Sequence, residues 1–264
     1  IDVNLVPVLN KQKKVINILF NKKNFKFKYQ SKKNKTKVVI MSGGLGSRLR
    51  PYTHAIPKPL IPIGDKSILE RIIKKFEECG FDNFYLTVGY KKKLINAYFS
   101  DTKFKKKIKF IQETKPLGTA GGVSFLKGKI ESDFFVCNCD SIFNLDFNFL
   151  LDFHKNKKND LTLVAAHNNY KIPYGVCKIN SKSLLKSIEE KPSIKYFAST
   201  GLYVFSKKVL NLLNKNSRCD MDILIQKCLK KKFKVGVFPI DQKDWMDFGD
   251  WDQFKTSIKN LKID

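Results

Sequence analysis

A glycine-rich loop is the first part of the sequence with the residue types for chemistry. Gly43, Gly44 and Gly46 fill three of four consecutive positions directly after the apolar run 37–42. Glycine lets backbone N–H groups approach an anion closely, and an arginine such as Arg48 can bind phosphate oxygens through two hydrogen bonds. The loop lacks the lysine of a Walker A loop and the last glycine of a dinucleotide-binding fingerprint. It predicts a phosphate site, with a plain tight turn as the alternative.

The chain beyond this loop supplies a second cation. Residues 57–64 read PKPLIPIG, and the connection from Gly43 to a helix predicted near Ser67 is longer than ordinary loops between a strand and a helix. Long loops in compact domains are usually functional or disordered, and the prolines of this segment favour the ordered case. Lys58 is then held on a stiff segment, which suits a lysine that binds phosphate.

Alternating strands and helices must position these groups. Their order predicts an α/β fold with a mainly parallel sheet. Because ligands of such sheets bind beyond the carboxyl ends of the strands, Gly43, Gln112 and Asp140 should converge on one crevice. The predicted strands are 37–42, 84–89, 108–112, 133–138, 161–166, 174–179, 184–189 and 200–205, and the predicted helices are 67–80, about 94–99, about 119–127, about 207–213 and about 220–230.

The composition fits a globular protein with one substantial core. Its 264 residues are 42% hydrophobic, and no run approaches the roughly 18 apolar residues of a membrane span. We therefore expect a soluble, cytoplasmic protein whose six cysteines are reduced and mostly buried. The net charge of +27 would suit a nucleic-acid partner, but the lysines are spread along the whole chain and no recognition motif accompanies them. We expect neither nucleic acid nor a membrane as a partner.

Several short blocks in a fixed order give the sequence a specific resemblance. They are GGLGSRLRP at 43–51, PKPLIPIG at 57–64, PLGTAGG at 116–122, NCD at 138–140, YGV at 174–176, EEKP at 189–192, STGLYVF at 199–205 and WMDFG at 245–249. Together they resemble the sugar nucleotidyltransferase family, which includes glucose-1-phosphate thymidylyltransferases and mannose-1-phosphate guanylyltransferases. The resemblance implies a Rossmann-like three-layer α/β/α nucleotidyltransferase fold with a mainly parallel mixed sheet.

The resemblance also implies roles for residues in each block. The nucleotide would be bound by Gly43, Gly44, Gly46, Glu113, Gly118 and Thr119, the last three at its base and ribose. The implied catalytic residues are Arg48 and Lys58 on the nucleotide phosphates, Lys191 on the sugar phosphate, and Asp140 and Asp247 as ligands of the cofactor Mg²⁺. The sugar would face Gly175, Glu190 and Thr200.

The implied reaction agrees with the residue types present. Its nucleophile is a phosphate oxygen of the sugar 1-phosphate, which is largely ionised at neutral pH because the second pKa of such a group is about 6. The site must therefore supply in-line positioning and neutralise charge, and it needs no general base. Mg²⁺ takes one or two carboxylates and fills its other positions with water and phosphate oxygens, a requirement that Asp140 and Asp247 can meet.

The sequence gives weaker indications of the base and the sugar. A carboxylate at Glu113 could accept hydrogen bonds from guanine N1–H and the exocyclic amine, whereas uracil and thymine offer one such donor. This favours GTP, although a backbone carbonyl could play the same part. The sequence Asn138-Cys139-Asp140 replaces the family's frequent Asn-Gly-Asp, and Ser199 stands where asparagine is frequent, which leaves the sugar open.

The segment 4–20 resembles the last strands of a CBS domain, with a stray hairpin as the alternative. CBS pairs fused ahead of such a transferase resemble the guanylyltransferases of bacterial legionaminic acid synthesis, whose substrate is glucosamine 1-phosphate. Because the chain begins at Ile1, we expect it to be part of a longer polypeptide. The predicted organisation is a residual CBS-like segment at 1–20, a linker at 21–36 rich in Lys and Asn, and a catalytic domain at 37–264.

The leading hypothesis is an enzyme with two substrates, a nucleoside triphosphate and a sugar 1-phosphate. It would use GTP and glucosamine 1-phosphate to form a GDP-sugar and pyrophosphate for a bacterial surface glycan or a nonulosonic (legionaminic) acid. The alternatives are a UDP- or dTDP-sugar pyrophosphorylase and a guanylyltransferase for mannose or heptose 1-phosphate. A non-catalytic nucleotide-sensing module is the alternative from another class. Self-association as a homo-oligomer is left open.

Overall fold

A mixed sheet of seven strands forms the centre of the chain in this computed structural model. The structure describes residues 33–260 and the backbone of two further strands near the N-terminus. The strands are β1 Leu5–Leu9, β2 Val15–Phe20, β3 Val38–Ser42, β4 Pro62–Ile63, β5 Lys66–Ser67, β6 Phe84–Val88, β7 Ile108–Gln112, β8 Phe134–Asn138, β9 Ser141–Phe143, β10 Leu161–Lys171, β11 Val176–Ile179, β12 Leu185–Glu189, β13 Ser193–Phe205, β14 Val235–Asp241 and β15 Trp245–Asp247. The helices are α1 Ile68–Glu78, α2 Lys92–Ser100, α3 Gly118–Gly121, α4 Phe147–Asn156, α5 Met221–Lys230 and α6 Trp251–Asn260.

The seven strands of the central sheet lie in the order β14-β10-β13-β8-β3-β6-β7. Only β13 runs antiparallel to its neighbours in this sheet, and the other neighbouring strands are parallel. The prediction of a mainly parallel mixed sheet is confirmed. The carboxyl ends of β8, β3, β6 and β7 consequently meet along one edge, where ligands of such sheets bind.

Different helices cover the two faces of the sheet. Neighbouring residues of a strand point to opposite faces, so Val38 and Ile40 of β3 pack in one core cluster and Val39 packs in the other. The first cluster includes buried side chains of α1, α2, α4 and α6, and the second includes those of α3 and α5. The predicted three-layer α/β/α arrangement is therefore present. Among the described residues, no helix is both long enough and apolar enough to cross a bilayer.

Helix α1 shows how the sequence determines one of these elements. Ile68, Leu69, Ile72, Ile73 and Phe76 recur at helical spacing, and all five are buried against the sheet. The Ser67 hydroxyl caps the first turn by accepting a hydrogen bond from the Glu70 N–H at 3.2 Å. Gly80 follows the helix with a φ of 89°, a left-handed conformation that favours glycine.

Several predicted elements differ in extent from the structure. The predicted helix at 119–127 is the single turn α3 followed by a 3₁₀ segment, Gly122–Leu126. The predicted strands 161–166 and 200–205 are parts of the longer strands β10 and β13. Beyond the sheet these two strands continue as a ribbon that carries the separate antiparallel pair β11–β12. We call residues 167–198 the distal arm, and most of its side chains are exposed.

The N-terminal predictions are only partly covered by the description. Strands β1 and β2 pair antiparallel, as the strand-like pattern of residues 1–20 predicted. Most of the predicted linker, residues 21–32, lies outside the described residues. Its last residues contact the body, because the Asn34 N–H donates to the Gly80 carbonyl at 2.9 Å and its side chain donates to Asn148 at 3.0 Å. The CBS-like assignment of the first segment stays a prediction.

Candidate active site

A cleft of about 520 Å³ opens at the carboxyl ends of the parallel strands. Its walls include residues from the ends of β3, β6 and β8 and the residue that follows β7. Gly43 and Asp140 meet there as predicted, whereas Gln112 does not line the cleft and the next residue, Glu113, does. Nine of the residues predicted for the nucleotide and for catalysis line this one cleft: Gly43, Gly44, Gly46, Arg48, Lys58, Glu113, Gly118, Thr119 and Asp140.

The three loop glycines differ in what a side chain at each position would meet. A Cβ built on Gly43 would lie 2.6 Å from Oε1 of Glu113, so no larger side chain fits without displacing that carboxylate. Gly46 has a φ of 65°, and a Cβ there would lie 3.0 Å from Cβ of Lys58. A Cβ on Gly44 would meet no atom within 4 Å. The backbone at Gly44 therefore borders open space in the cleft, where an anion could approach it.

The long connection after the glycine loop is ordered, as its prolines predicted. Trp251 of α6 donates a hydrogen bond from Nε1 to the Arg50 carbonyl at 3.2 Å, and its ring lies 4.9 Å from the ring of Tyr52. The Thr53 hydroxyl donates to the Gly46 carbonyl at 3.0 Å. These contacts attach the loop to the C-terminal helix and to itself. They hold the segment that presents Lys58.

Lys58 is buried at the base of the cleft and is paired with an aspartate. Its ammonium forms an ion pair with Oδ2 of Asp140 and also donates to the Gly249 carbonyl at 3.2 Å. Only 7% of Lys58 and 9% of Asp140 is exposed, so both charges are largely removed from water. The sequence placed Lys58 on the nucleotide phosphates, and the structure places its ammonium on Asp140 within the same cleft.

Asp140 and Asp247 lie far apart in sequence and are brought together by two short strands. β9 and β15 pair antiparallel with Asp247 opposite Ser141, and the Phe248 N–H donates to the Asp140 carbonyl at 2.8 Å. Burial raises the pKa of Asp247, and the negative charge of Asp140 raises it further. The positive charges of Lys58 and Arg48 lower the pKa of Asp247. The four charged groups therefore lie close enough to interact with one another.

Asp140 lines the cleft and Asp247 does not, but the two carboxylates offer the oxygen ligands that a divalent cation prefers. Oδ1 of Asp140 is buried and has no hydrogen-bond partner among the described residues. Such a buried charged oxygen is costly unless a ligand satisfies it. Asp247 accepts one hydrogen bond at Oδ1 from the Gly249 N–H at 2.9 Å. Two carboxylates are the protein share that Mg²⁺ typically takes, and no larger group of metal-binding side chains occurs in the described part of the chain.

Glu113 lies in the part of the cleft between two glycines. Cβ atoms built on Gly43 and Gly122 would lie 2.6 and 2.4 Å from its Oε1. Burial raises the pKa of Glu113. Hydrogen bonds from the Thr87 hydroxyl and the Leu117 backbone lower it, but the effect of burial is larger. The carboxylate is therefore held in one place at the cleft wall, where it can accept hydrogen bonds from a ligand.

A second segment supports the helix turn at Gly118 and Thr119, and the sequence analysis missed it. Asp220 accepts a hydrogen bond at Oδ1 from the Thr119 N–H at 3.1 Å, and the Thr119 hydroxyl accepts one from the Met221 N–H at 2.8 Å. Arg218 from the same segment lines the cleft and lies 3.5 Å from Oδ2 of Asp220. Asp220 stands where a helix cap is expected before α5, but nothing in the sequence indicates its contact with Thr119.

The residues predicted for the sugar lie apart from the cleft walls. Gly175, Glu190 and Lys191 belong to the distal arm, where the Lys191 ammonium lies 3.6 Å from Oε1 of Glu190 and both side chains are exposed. A Cβ on Gly175 would lie 3.0 Å from Oε2 of Glu190, so these two positions are adjacent. Thr200 is buried in β13 and donates to the Val164 carbonyl at 2.9 Å. The structure brings Gly175, Glu190 and Lys191 together but does not bring them to Arg48 and Lys58.

Comparisons with known proteins agree with this geometry. The family model described as Nucleotidyl transferase matches residues 37–262. The chain is 32% identical over 237 residues to the bifunctional protein GlmU of Methanococcus aeolicus, which covers 86% of this chain and 55% of that protein. It is 31% identical over 202 residues to the D-glycero-alpha-D-manno-heptose 1-phosphate guanylyltransferase of Campylobacter jejuni, which covers 76% of this chain and 90% of that protein.

Solved structures show the same fold. The crystal structure of HddC from Yersinia pseudotuberculosis matches with a TM-score of 0.66 and 27% identity, covering 86% of this chain and all of that chain. A glucose-1-phosphate thymidylyltransferase structure from Bacillus anthracis, described as putative by its authors, matches with a TM-score of 0.68 at 20% identity, covering 87% of this chain and 96% of that chain, and supports the fold alone.

The mainly parallel sheet, with the glycine loop and Asp140 at the carboxyl ends of its strands, defines a three-layer α/β/α domain with its cleft at that edge. The chain belongs to the nucleotidyl transferase family. It spans about half the length of the GlmU relative and most of the heptose 1-phosphate guanylyltransferase.

Proposed function

We propose that this chain transfers a nucleoside monophosphate from a nucleoside triphosphate to a sugar 1-phosphate and releases pyrophosphate. The observation that carries the proposal is the single cleft that joins the open backbone at Gly44 with Arg48, Lys58 and Asp140. Such a site offers backbone donors and two cations to a triphosphate, beside carboxylates for a divalent cation. The curated relatives and the family model support the same chemistry.

The residues would act by binding and orientation. The glycine loop and Arg48 would hold the triphosphate, and Asp140 with Asp247 would hold Mg²⁺, which supplies neutralisation of charge on the phosphate oxygens when bound. A phosphate oxygen of the sugar 1-phosphate attacks the α-phosphorus, and the bond to the β-phosphate oxygen breaks as pyrophosphate leaves. The cleft needs no general base for this step because the attacking oxygen is already ionised at neutral pH.

We favour GTP as the nucleotide. Glu113 is held at the cleft wall with 9% of its surface exposed, and an ionised carboxylate there can accept from both N1–H and the exocyclic amine of guanine. Uracil and thymine offer one such donor. The Campylobacter jejuni relative is named a guanylyltransferase, and HddC has been solved in a complex with GMP-PN.

We favour glucosamine 1-phosphate as the sugar substrate, for a surface glycan or a nonulosonic acid such as legionaminic acid. The support is the likeness of residues 4–20 to the end of a CBS domain and the antiparallel pairing of β1 with β2. In this proposal Gly175 and Glu190 of the distal arm contact the sugar, and Lys191 contacts its phosphate, when the arm approaches the cleft. Mannose and heptose 1-phosphate are the competing sugars.

Pyrophosphate release tests the nucleotide and the sugar together. The purified chain with Mg²⁺ is incubated with GTP, UTP, dTTP or CTP and with glucosamine, mannose, heptose or glucose 1-phosphate. We expect the highest kcat/KM with GTP and glucosamine 1-phosphate. Release with UTP or dTTP but not with GTP would support the UDP- or dTDP-sugar alternative. Tight GTP binding without release from any pair would instead support the nucleotide-sensing module.

Glu113→Gln tests the assignment of the base. Glutamine keeps the size of the side chain and has one acceptor oxygen in place of two. Losing one hydrogen bond to guanine costs about 1 kcal/mol or more, so the preference for GTP over UTP should fall at least roughly fivefold. Glu131→Gln on the surface is the matched control and should leave the preference unchanged. An unchanged preference in Glu113→Gln would remove Glu113 from base recognition.

A further inference from the structure

The ion pair between Lys58 and Asp140 has a consequence for how the cleft takes up a cation. Lys58 is bound to Oδ2 of Asp140 and to the Gly249 carbonyl, so two of its three donors face groups beside the aspartate pair. The other oxygen of Asp140, Oδ1, is buried without a hydrogen-bond partner among the described residues. The lysine thus holds the carboxylate in a fixed orientation and already neutralises part of its charge.

The charges around this pair are balanced before any ligand binds. Asp140 and Asp247 carry two negative charges, and Lys58 and Arg48 carry two positive charges in the same neighbourhood. Adding a divalent cation alone would leave the half-buried site with two surplus positive charges. A triphosphate that enters with the cation brings about four negative charges, which offset the two charges of the cation and leave about two to be bound by the lysine and by the backbone donors of the glycine loop. Charge therefore favours uptake of the two ligands together.

From these contacts we infer that Lys58 is a tethered cation whose charge, held on Oδ2 of Asp140, opposes binding of a divalent cation at this carboxylate until nucleotide arrives. In the nucleotide-free protein it holds Asp140 and opposes binding of a divalent cation. When a divalent cation and the triphosphate bind together, the ammonium would transfer from Oδ2 of Asp140 to a phosphate oxygen, and Asp140 and Asp247 would hold the cation. The phosphate half of this exchange rests on the proposed function, and the cation half rests on the ion pair alone.

Mn²⁺ binding without nucleotide tests the inference. The full chain is titrated with Mn²⁺, and free Mn²⁺ is followed by electron paramagnetic resonance. Lys58→Met removes the competing charge, so its affinity for Mn²⁺ should exceed that of the wild type by roughly tenfold or more. Lys58→Arg keeps the charge and should match the wild type. The double variant Lys58→Met with Asp140→Asn should lose the gain.

A second variant guards against poor folding, because Lys58→Met leaves Asp140 buried without its partner. Lys58→Gln keeps a hydrogen-bond donor and removes the charge, and it should show the same gain in Mn²⁺ affinity. Thermal melting supplies a second measurement, since Mn²⁺ should raise the Tm of Lys58→Gln more than that of the wild type when nucleotide is absent. Equal or weaker Mn²⁺ binding by both Lys58 variants would overturn the inference, and so would a gain that survives Asp140→Asn.

The Mn²⁺ titration tests the cation exchange independently of the proposed function. A wild-type protein that releases no pyrophosphate from any substrate pair, while Lys58→Met binds Mn²⁺ more tightly, would reject the proposed function and leave the cation exchange standing. Pyrophosphate release by the wild type with unchanged Mn²⁺ affinity in both variants would keep the function and reject the exchange.

Discussion

The substitution Gly43→Ala should lower the stability of the nucleotide-free protein. The new Cβ would lie 2.6 Å from Oε1 of Glu113, whereas ordinary contact begins at 3.4 Å, so one of them must move by the difference, 0.8 Å. Gly89 also packs against this position, since a Cβ built on it would lie 3.0 Å from the Gly43 carbonyl oxygen. Overpacking of this kind costs about 1–3 kcal/mol. For a chain of this size that corresponds to a fall in Tm of roughly 3–9 °C.

Alanine at the next residue, Gly44, should act in a different way. Its Cβ would meet no atom within 4 Å, and replacing a compatible glycine by alanine is neutral or stabilises by about 0.4–1 kcal/mol. The methyl group would, however, occupy the open space through which we propose that the phosphates approach the backbone. We expect an unchanged or slightly higher Tm and a GTP affinity that falls at least roughly tenfold, the equivalent of about 1.4 kcal/mol.

Two measurements separate these expectations. Thermal melting of the nucleotide-free variants reports the packing at Gly43, and calorimetric titration with a non-hydrolysable GTP analogue reports the approach to Gly44. Each variant serves as the control for the other, because they differ by one position in the same loop. Wild-type GTP affinity in Gly44→Ala would refute the proposal that phosphates contact this backbone, and a wild-type Tm in Gly43→Ala would refute the close packing with Glu113.

Three further predictions follow from the charged side chains. Asp247→Asn should lower kcat/KM for pyrophosphate release by at least roughly 100-fold, because it removes one of the two carboxylates that we propose for Mg²⁺. It should not lower the Tm, because the pKa of this partly buried carboxylate is raised by desolvation. A loss of less than tenfold would argue against its part in catalysis. Asp220→Ala removes the acceptor of the Thr119 N–H and should raise KM for the nucleotide while kcat changes little, whereas Asp222→Ala on the same helix should leave both unchanged. Burial lowers the pKa of His154, so the folded protein favours its neutral form. The stability that this provides is complete above about pH 6.5 and is lost as the pH falls below that value. Denaturant titrations from pH 8 to 5 should show this loss in the wild type and not in His154→Gln, and an identical pH dependence in both would contradict the prediction.

The sequence analysis located the cleft because the relevant signals are local. A buried strand followed by glycines marks the edge of a parallel sheet, and the periodic apolar residues of α1 indicate which helix covers it. These features depend on side-chain direction along one segment. The same features predict that Gly43 and Asp140 lie in one crevice, and both line the cleft.

Strand β14 is not among the predicted strands, because its sequence contains residues that are unfavourable in strands. Gly236 and Pro239 lie within it, and a sequence with glycine and proline at such positions does not predict a strand. The structure accounts for them, since β14 is at the edge of the sheet, where a missing N–H is tolerated. A Cβ on Gly236 would lie 2.1 Å from Nδ2 of Asn159, so glycine is required by a contact that the sequence does not reveal.

The partners of the charged residues could not be predicted, because they are set by the tertiary fold. The ion pair of Lys58 joins residues from the long loop and from the end of β8. The hydrogen bond from the Thr119 N–H to Asp220 joins a segment that precedes strand β13 in the sequence to a segment that follows it. A motif identifies such residues as chemically useful but does not say which of them touch before a ligand binds.

In the proposed function, the cleft and the distal arm contribute to substrate recognition through two different kinds of structure. The donors and carboxylates of the cleft lie on segments that follow strands of the central sheet or on the long loop that is attached to α6, so few changes there leave the chemistry intact. Gly175, Glu190 and Lys191 stand on a ribbon whose exposed side chains have few packed neighbours to constrain them. Substitutions in the ribbon cost little stability. If the distal arm binds the sugar as proposed, a lineage could exchange one sugar for another by altering the ribbon while the cleft that we propose for the nucleotide stays unchanged.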